Sequence, residues 1–376
     1  MNPGLTIGVD ARPLSAGLAG IPRYVGEMLA GLVRTSRHRF VLFSNREIAC
    51  PFPAADNVTI VVDGGFAKVP GTLWLMFRLN RLLEEHKVDF FWGTQHLLPF
   101  FKSPLRKYVV TVHDLTHLIL PQSLRFHNLV FSRLFFKRAM GNADGVICIS
   151  RATSKDLIEH YPFMAERRVE VIYPGRSLVF PRQDSNPHRQ DYLFTLGSLE
   201  PRKNLLFLVK TFRHLAERRP NLKLLCAGGE GWKARPLFRY VQDHGLADRV
   251  LFPGRISDLE AADYMARARL LVFPSLYEGF GLPLLEAVDK CPAAASDIEV
   301  FRELKPHLAN LFLLDFRKDP HLSAQRLLEI LDRPDLEPLR FQGQSGGLFT
   351  WTAAAEKTLA FFNEIMVAAG QGEGGS

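Results

Sequence analysis

The chain has 376 residues, 47% apolar and 23% charged, a balance that belongs to a soluble globular protein of about two domains. No apolar run reaches the ~20 residues of a membrane-crossing helix. The start, Met1 to Pro13, lacks the basic-then-apolar pattern of a secretory signal, and Cys50, Cys148, Cys226 and Cys291 stand alone, without metal-ligand spacing or a disulfide framework, so a reducing cytosol fits best. The net charge of +8 is lopsided: residues 1–184 hold 23 Lys and Arg against 15 Asp and Glu, while residues 185–376 are balanced at 24 each. A basic half suits an anionic membrane surface, a phosphorylated acceptor or nucleic acid, and equally suits solubility alone.

In chain order, the apolar runs Leu5 to Val9, Phe40 to Phe43, Val58 to Val62, Asp89 to Trp92, Tyr108 to Val112 and Gly145 to Ile149 read as buried strands. Helical periodicity lies between several of them, at Ile21 to Arg34, Thr72 to His86 and Leu124 to Met140. The polar stretch Arg182 to Asp191 reads as an interdomain linker. Strands then recur at Tyr192 to Leu196, Leu222 to Ala227, Val250 to Phe252 and Leu270 to Phe273, with helices at Leu205 to Arg218, Arg235 to His244, Leu259 to Arg267 and Leu282 to Val288. Alternating apolar strands and helices predict an α/β protein of two doubly wound, Rossmann-like domains, 1–184 and 185–352, facing across a cleft. Ligands of such sheets bind at the carboxyl ends of the strands. The Gly-rich end, 370–376, reads as a flexible tail.

The loops after strands carry the chemistry. After the first strand, Gly17 and Gly20 precede a helix with Pro22 in its first turn; a Gly-rich loop there cradles phosphate or merely links. After Tyr108 to Val112 come His113 and Asp114. His113 suits a sugar hydroxyl or a developing charge, and Asp114 a backbone cap. After Tyr192 to Leu196 the chain reads Gly197-Ser198-Leu199-Glu200-Pro201-Arg202-Lys203-Asn204. Two cations at a helix start oppose its dipole, and binding a diphosphate offsets that placement. After Leu270 to Phe273 comes Pro274-Ser275-Leu276-Tyr277-Glu278-Gly279-Phe280-Gly281-Leu282-Pro283-Leu284-Leu285-Glu286. Two glutamates eight apart around a Gly-x-Gly suit a ligand with hydroxyls at both ends and phosphate between, as a nucleotide-sugar is; an ordinary acidic corner before a helix carries the same residues. An Asp-x-Asp pair to hold Mg²⁺ or Mn²⁺ is absent, so no metal is expected, and no other cofactor.

These residues resemble a family. Glu278 to Glu286 is similar to the Glu-x7-Glu motif of the retaining, two-Rossmann-domain (GT-B) glycosyltransferases of family 4, most like bacterial mannosyltransferases of O-antigen and polysaccharide assembly. Gly197 to Asn204 resembles the family's Arg/Lys diphosphate loop, His113-Asp114 its active-site His-Asp, and Gly17 to Tyr24 its acceptor-side glycine loop, with Pro22 in place of the middle glycine. Ser296 to Glu303 is a further resembling stretch, and Phe349-Thr350-Trp351 followed by a helix, about 353–369, resembles the C-terminal helix that returns to the first domain. The resemblance implies that Arg202 and Lys203 hold the donor diphosphate and Glu286 the ribose, while Glu278 binds sugar hydroxyls with the backbone from Gly279 through Phe280 and Gly281 to Leu282 beside it. His113 would contact the sugar near the reacting carbon, Gly20 and Ser198 would line the donor, and Arg255 and Ile256 would flank the base.

The reaction implied moves mannose or rhamnose from a GDP-linked donor to a lipid-linked glycan, with UDP-sugars open. No carboxylate is an obvious nucleophile, so same-face attack with the leaving diphosphate as base is expected. A nucleotide-sugar epimerase or another enzyme of this fold, and a non-enzymatic nucleic-acid binder, are the other readings. The latter is disfavoured because most of the 29 Phe fall in core-like runs. Two mixed basic and apolar runs, Arg125 to Arg138 and Leu73 to Leu83, suggest docking of the first domain on an anionic membrane leaflet, or ordinary helices with apolar faces on the sheet.

Overall fold

The computed structural model describes residues 4–16, 20–50, 52–124, 126–177 and 189–372. The chain divides into two compact units: Met1–Leu118, Phe126–Gly175 and Gly347–Ser376 form one, and Ile119–Arg125 with Arg176–Gly346 the other.

The first unit is built on β1 (Thr6–Asp10), β2 (Arg39–Ser44), β3 (Val58–Val62), β4 (Phe90–Gly93), β5 (Lys107–Val112), β6 (Gly145–Cys148) and β7 (Arg168–Val171). They form one sheet in the order β3-β2-β1-β4-β5-β6-β7, each pair parallel. Its helices are α1 (Ile21–Thr35), α2 (Gly71–Phe77), α3 (Leu79–Glu85), α4 (Thr116–Ile119), α5 (Phe126–Asn142) and α6 (Arg151–His160). Central strands of a parallel sheet are covered on both faces, which is why they read as unbroken apolar runs: Ile7, Val9, Phe90, Trp92, Val109 and Val110 are all fully buried.

The second unit repeats the scheme. Its strands β8 (Tyr192–Leu196), β9 (Lys223–Ala227), β10 (Val250–Gly254), β11 (Leu270–Phe273) and β12 (Ala293–Ser296) are followed by a short pair, β13 (Leu308–Ala309) with β15 (Arg340–Phe341), between which lies β14 (Leu311–Leu314). The main sheet runs β10-β9-β8-β11-β12-β14, again all parallel. The helices are α7 (Leu205–Arg218), α8 (Arg235–Asp243), α9 (Asp258–Arg267), α10 (Leu282–Glu286), α11 (Glu299–Leu304) and α12 (Pro320–Leu331). Two doubly wound α/β units are therefore present, as expected. Each sheet reverses its strand order once, next to β1 in the first unit and next to β8 in the second, and these switch points gather the loops that bind ligands in such folds.

The last helix, α13 (Trp351–Gly372), belongs to the first unit. It lies against α1 so closely that a Cβ on Gly31 would stand 2.7 Å from that of Ala355. Phe362 packs on Phe90 and Trp92, with ring centroids 4.5 and 6.0 Å apart. The expected return of this helix is observed. It also runs through Gly372 and so takes in three residues of the expected tail; residues 373–376 lie outside the described residues, as do 182–188 of the expected linker. The linker's end is fastened to the second unit, where Gln190 N–H donates to the Arg267 carbonyl and Arg189 to that of Leu336.

The elements differ from the sequence reading in several places. The helix expected over Thr72 to His86 is two helices meeting at Arg78, whose Nε is held 3.0 Å from Asp63, the carboxylate that also accepts from Trp74 Nε1. Of its apolar residues Trp74, Leu75, Met76, Leu79, Leu82 and Leu83 are buried and face the core, while Phe77 is exposed. Strands β7, β12 and β14 have no counterpart in the sequence reading. In β12 the run Ala293-Ala294-Ala295 has helix-forming residues, and its conformation is set by parallel neighbours on both sides. Helix α10 ends at Glu286, short of the expected Val288.

Candidate active site

In the second unit β8 and β11 are neighbours at the switch point, so the loops that follow them are side by side. The backbone joins them: Leu276 N–H donates to the Arg202 carbonyl at 2.9 Å. Side chains join them more strongly. Arg202 Nη1 donates to Glu278 Oε2 at 2.8 Å, Lys203 Nζ donates to Glu278 Oε1 at 2.6 Å, and Arg202 Nη2 donates to Glu200 Oε1 at 2.9 Å. Lys203 also lies 4.9 Å from the centre of the Phe273 ring. Each oxygen of one carboxylate thus serves a different cation, the short charge-assisted geometry of a strong pair. Burial alone would raise the Glu278 carboxyl; the charges of Arg202 and Lys203 outweigh it and hold the group below the usual carboxylate range. Burial lowers the Lys203 ammonium, against the opposing pull of Glu278.

This explains the placement that puzzled on sequence grounds. The two cations sit in a 3₁₀ turn, Pro201–Lys203, before α7, and carboxylates from the same and the neighbouring loop neutralise them. The sequence reading had a bound diphosphate offset their position; Glu278 and Glu200 pair with both cations within the protein itself.

The remaining donor-side candidates fall around this cluster. Gly279, Phe280 and Gly281 are buried with Glu278, and Leu282 is half-buried. Gly281 has φ 103° and a Cβ there would stand 2.6 Å from the Phe301 ring, so only glycine fits. Glu286 is buried at the end of α10, and Lys290 donates to its carbonyl at 2.8 Å; burial pushes the Lys290 ammonium down to about 8. Ser198 is exposed on the β8 loop, Arg255 is exposed after β10, and Ile256 is half-buried. Arg255 lies over the backbone of Gly229, where an added Cβ would come 2.8 Å from its Nε. Gly228 and Gly229, after β9, went unnoticed in the sequence. A Cβ on Gly228 would stand 2.0 Å from the Gly197 carbonyl, so backbone meets backbone there; the Gly-Gly pair directly after an apolar strand was the available signal.

In the first unit Gly20 caps α1 at φ 66° with open space around its Cα; Gly17 lies outside the described residues. His113, at the end of β5, is buried, and its Nε2 lies 2.7 Å from the Thr94 carbonyl. Thr94 Oγ1 in turn donates to the Asp10 carbonyl at 2.6 Å. Asp114 accepts from Thr116 N–H at 3.0 Å, the capping role expected of it. A further histidine, His96, sits in the loop after β4 with its ring 5.5 Å from that of His113. It was missed because Asp89 to Trp92 read only as a strand, and nothing in the sequence brings position 96 to position 113. Among the described residues no group of three or more His, Cys, Asp or Glu could hold a metal ion.

Residues 18–180 match the domain described as Glycosyltransferase Family 4, and residues 179–342 match that described as Glycosyl transferases group 1. The chain is 24% identical over 316 residues to O-antigen chain mannosyltransferase B of Escherichia coli, covering 78% of this chain and 82% of that one. It is 28% identical over 234 residues to O-antigen chain mannosyltransferase RfbU of Salmonella typhimurium, with 61% of this chain matched but only 62% of that protein's length spanned. In fold it is similar to sucrose-phosphate synthase from Thermosynechococcus elongatus, with a TM-score of 0.73 at 20% identity over 97% of this chain and 100% of that one. The chain thus has the GT-B fold, two Rossmann-like α/β domains.

Proposed function

The chain belongs to glycosyltransferase family 4, and on that premise we propose that it moves mannose or rhamnose from a GDP-linked donor to a lipid-diphosphate-linked glycan acceptor of a cell-surface polysaccharide such as O-antigen, with retention of configuration. The observation that carries the reading is the Arg202–Glu278–Lys203 cluster at the switch point of the second unit. Two largely buried cations joined to one carboxylate form a site that a diphosphate enters by exchange. The phosphate oxygens take the Arg fork and the Lys ammonium, and the released Glu278 carboxylate accepts from sugar hydroxyls. Glu286 accepts from the ribose.

The acceptor hydroxyl oxygen then bonds to the anomeric carbon on the face the diphosphate leaves. The bond from that carbon to the diphosphate oxygen breaks, and the hydroxyl proton passes to the departing oxygen. Arg202 and Lys203 stabilise the charge that develops. No divalent metal is required, because these cations carry the charge that an Asp-x-Asp-bound ion carries elsewhere. The mannosyl donor is favoured by the two O-antigen mannosyltransferases among the relatives.

The first unit also carries a surface suited to an anionic bilayer. Phe77, Phe101, Leu105 and Leu134 are between 57% and 86% exposed. Lys137 and Arg138 stand exposed beside them, Arg138 lying over the Phe100 ring. Bulky apolar groups among cations fit a headgroup layer, each nearby cation contributing about 1 kcal/mol. Among the described residues no helix is long and apolar enough to cross a membrane. Co-sedimentation with anionic liposomes should fall with salt and weaken when Arg133, Lys137 and Arg138 become Ser; equal recovery with neutral liposomes would remove the lipid role.

The test of the transfer reading is incubation with GDP-mannose, GDP-rhamnose and UDP-glucose, with and without a lipid-diphosphate glycan, measuring nucleotide release and the anomeric coupling of the product. Acceptor-dependent release of GDP with an α-linked product supports it. Release with none of the donors, or inversion, overturns it.

A further inference from the structure

Strand β3 runs directly into Asp63, and the turn that follows, Gly64–Phe66, ends in a phenylalanine that is 37% exposed. The loop stands at the carboxyl end of the first sheet, the end at which doubly wound units bind their ligands. A single exposed apolar residue on a loose surface loop is ordinary. This loop is pinned. Phe66 N–H donates to the Asp63 carbonyl at 2.9 Å, Ala67 N–H to that of Gly64 at 3.1 Å and Val69 N–H to that of Phe66 at 3.0 Å, while Asp63 N–H donates to the Ser44 carbonyl of β2 at 2.8 Å. From the loop after β2, Asn45 Nδ2 donates to the carbonyls of Phe66 and Val69 at 3.1 and 3.0 Å, and Arg46 Nε to that of Ala67 at 3.2 Å. A ring held in this way gives up little freedom when a ligand covers it.

Two charged groups stand beside the ring. The Arg78 guanidinium lies over it, 5.1 Å from its centre, so one face is covered and the exposure belongs to the rim and the other face. Asp63 fixes the guanidinium: its Oδ2 accepts from Arg78 Nε at 3.0 Å and from Trp74 Nε1 at 2.9 Å. Trp74 is buried, so the carboxylate is anchored to the core. Both bonds use the same oxygen. Among the described residues Asp63 Oδ1 and the two Nη of Arg78 make no hydrogen bond, and both side chains reach solvent, Asp63 at 14% and Arg78 at 25% exposure. An acceptor and a fork of donors therefore stand open next to an aromatic ring. Gly64 and Gly65 border it. Neither has a positive φ, and a Cβ on either would meet nothing within 4 Å. Neither conformation nor packing requires glycine there, and the bare backbone leaves the approach to the ring open.

We propose that Asp63, Phe66 and Arg78 form a carbohydrate subsite, in which a hexopyranose ring of the acceptor glycan lies on Phe66 and its neighbouring hydroxyls meet Asp63 Oδ1 and the Arg78 guanidinium. The chemistry selects that class. A sugar ring carries C–H groups that pack on an aromatic face and a rim of hydroxyls that both donate and accept. An aromatic ring alone takes any apolar surface, and an Arg–Asp pair alone takes any polar one. The three together call for both properties within the width of one ring. A phosphate is repelled by the carboxylate, and an acyl chain leaves the charged pair unserved. This rests on the glycosyl-transfer reading for the glycan's purpose, and on the loop's own geometry for its binding.

The test reads binding to the full-length protein without donor nucleotide, with an α-linked mannotriose as probe and maltotriose beside it. Titration followed by ¹H–¹⁵N spectra of the deuterated protein should shift the amides from Gly64 to Ala67. Phe66→Ala, at an exposed position, should weaken binding about tenfold, and Phe66→Tyr should retain it. Phe66→Leu keeps apolar bulk without the ring and should be as weak as the alanine variant. Arg78→Lys keeps the charge, loses the planar fork and should weaken binding as well. If neither trisaccharide moves these amides at millimolar concentration, or if Phe66→Ala binds as the wild type does, the proposal is overturned. It is overturned too if Phe66→Leu binds as well as Phe66→Tyr, or if Phe66→Ala loses liposome recovery and keeps its glycan affinity, which would give the ring to lipid. Absence of nucleotide release with every donor would remove the transfer reading and leave this titration unaffected, so the two fail separately.

Discussion

The two units share one doubly wound scheme, and the loops that follow neighbouring strands meet through different chemistry in each. In the second unit the loops after β8 and β11 meet in a lattice of full charges, Arg202 and Lys203 on Glu278 with Glu200 behind. In the first, the loops after β4 and β5 meet in neutral rings, His96 and His113 against Tyr24 and Phe136. Doubly wound geometry determines where loops gather and leaves open what they bind. The difference also makes the two sites respond differently to mutation and to acid.

The largest effect is expected from removing the shared carboxylate. Glu278→Ala leaves the largely buried Lys203 ammonium without a carboxylate and Arg202 with Glu200 alone; breaking a buried pair from one side costs about 3–5 kcal/mol. Urea unfolding should show the loss. If the variant's midpoint matches the wild type, the lattice contributes nothing and the contrast between the units fails.

Next come the donor contacts. Arg202→Ala and Glu286→Ala should each remove about 2–3 kcal/mol of charge-assisted bonding to the donor, read as a fall in nucleotide release of about 30- to 150-fold with the fold intact. Near-normal release by either folded variant would contradict the assignment of donor binding to the second unit.

Acid should separate the units. His96 and His117 are lowered to about 3 and about 4, so between those values and 6.5 the folded state binds fewer protons than the unfolded one. Their contribution is fully present above pH 6.5 and is lost as pH falls through that window. The stabilisation from Glu278, whose pKa is lowered, is present above about 4.5 and lost only below. Hydrogen exchange at pH 5 against pH 7, corrected for intrinsic rates, should therefore show opening in the segments around His96 and His117 and none around Glu278. The reverse order would break the comparison.

The smallest effect is expected from chelation. Dialysis against EDTA should leave turnover unchanged, and a loss restored by Mg²⁺ or Mn²⁺ would show that Arg202 and Lys203 do not suffice for the diphosphate charge.

The sequence by itself determined the α/β class, the two doubly wound units and the positions of most buried strands. Parallel central strands must be apolar on both faces, and that requirement is written locally. It placed β3, β8, β11 and α7 at the bounds observed, and the Glu278 to Glu286 spacing pointed to the family. The tertiary structure alone decided what involves residues far apart in sequence. The pairing of Glu278 with cations some 75 residues away, the ion pair of Arg78 with Asp63 where one expected helix is two, and the strand identity of Ala293 to Ser296 all involve neighbours that local periodicity does not encode. So does the approach of His96 to His113. Their strands are adjacent in the sheet, and only the strand order puts the two loops, and the two rings, side by side.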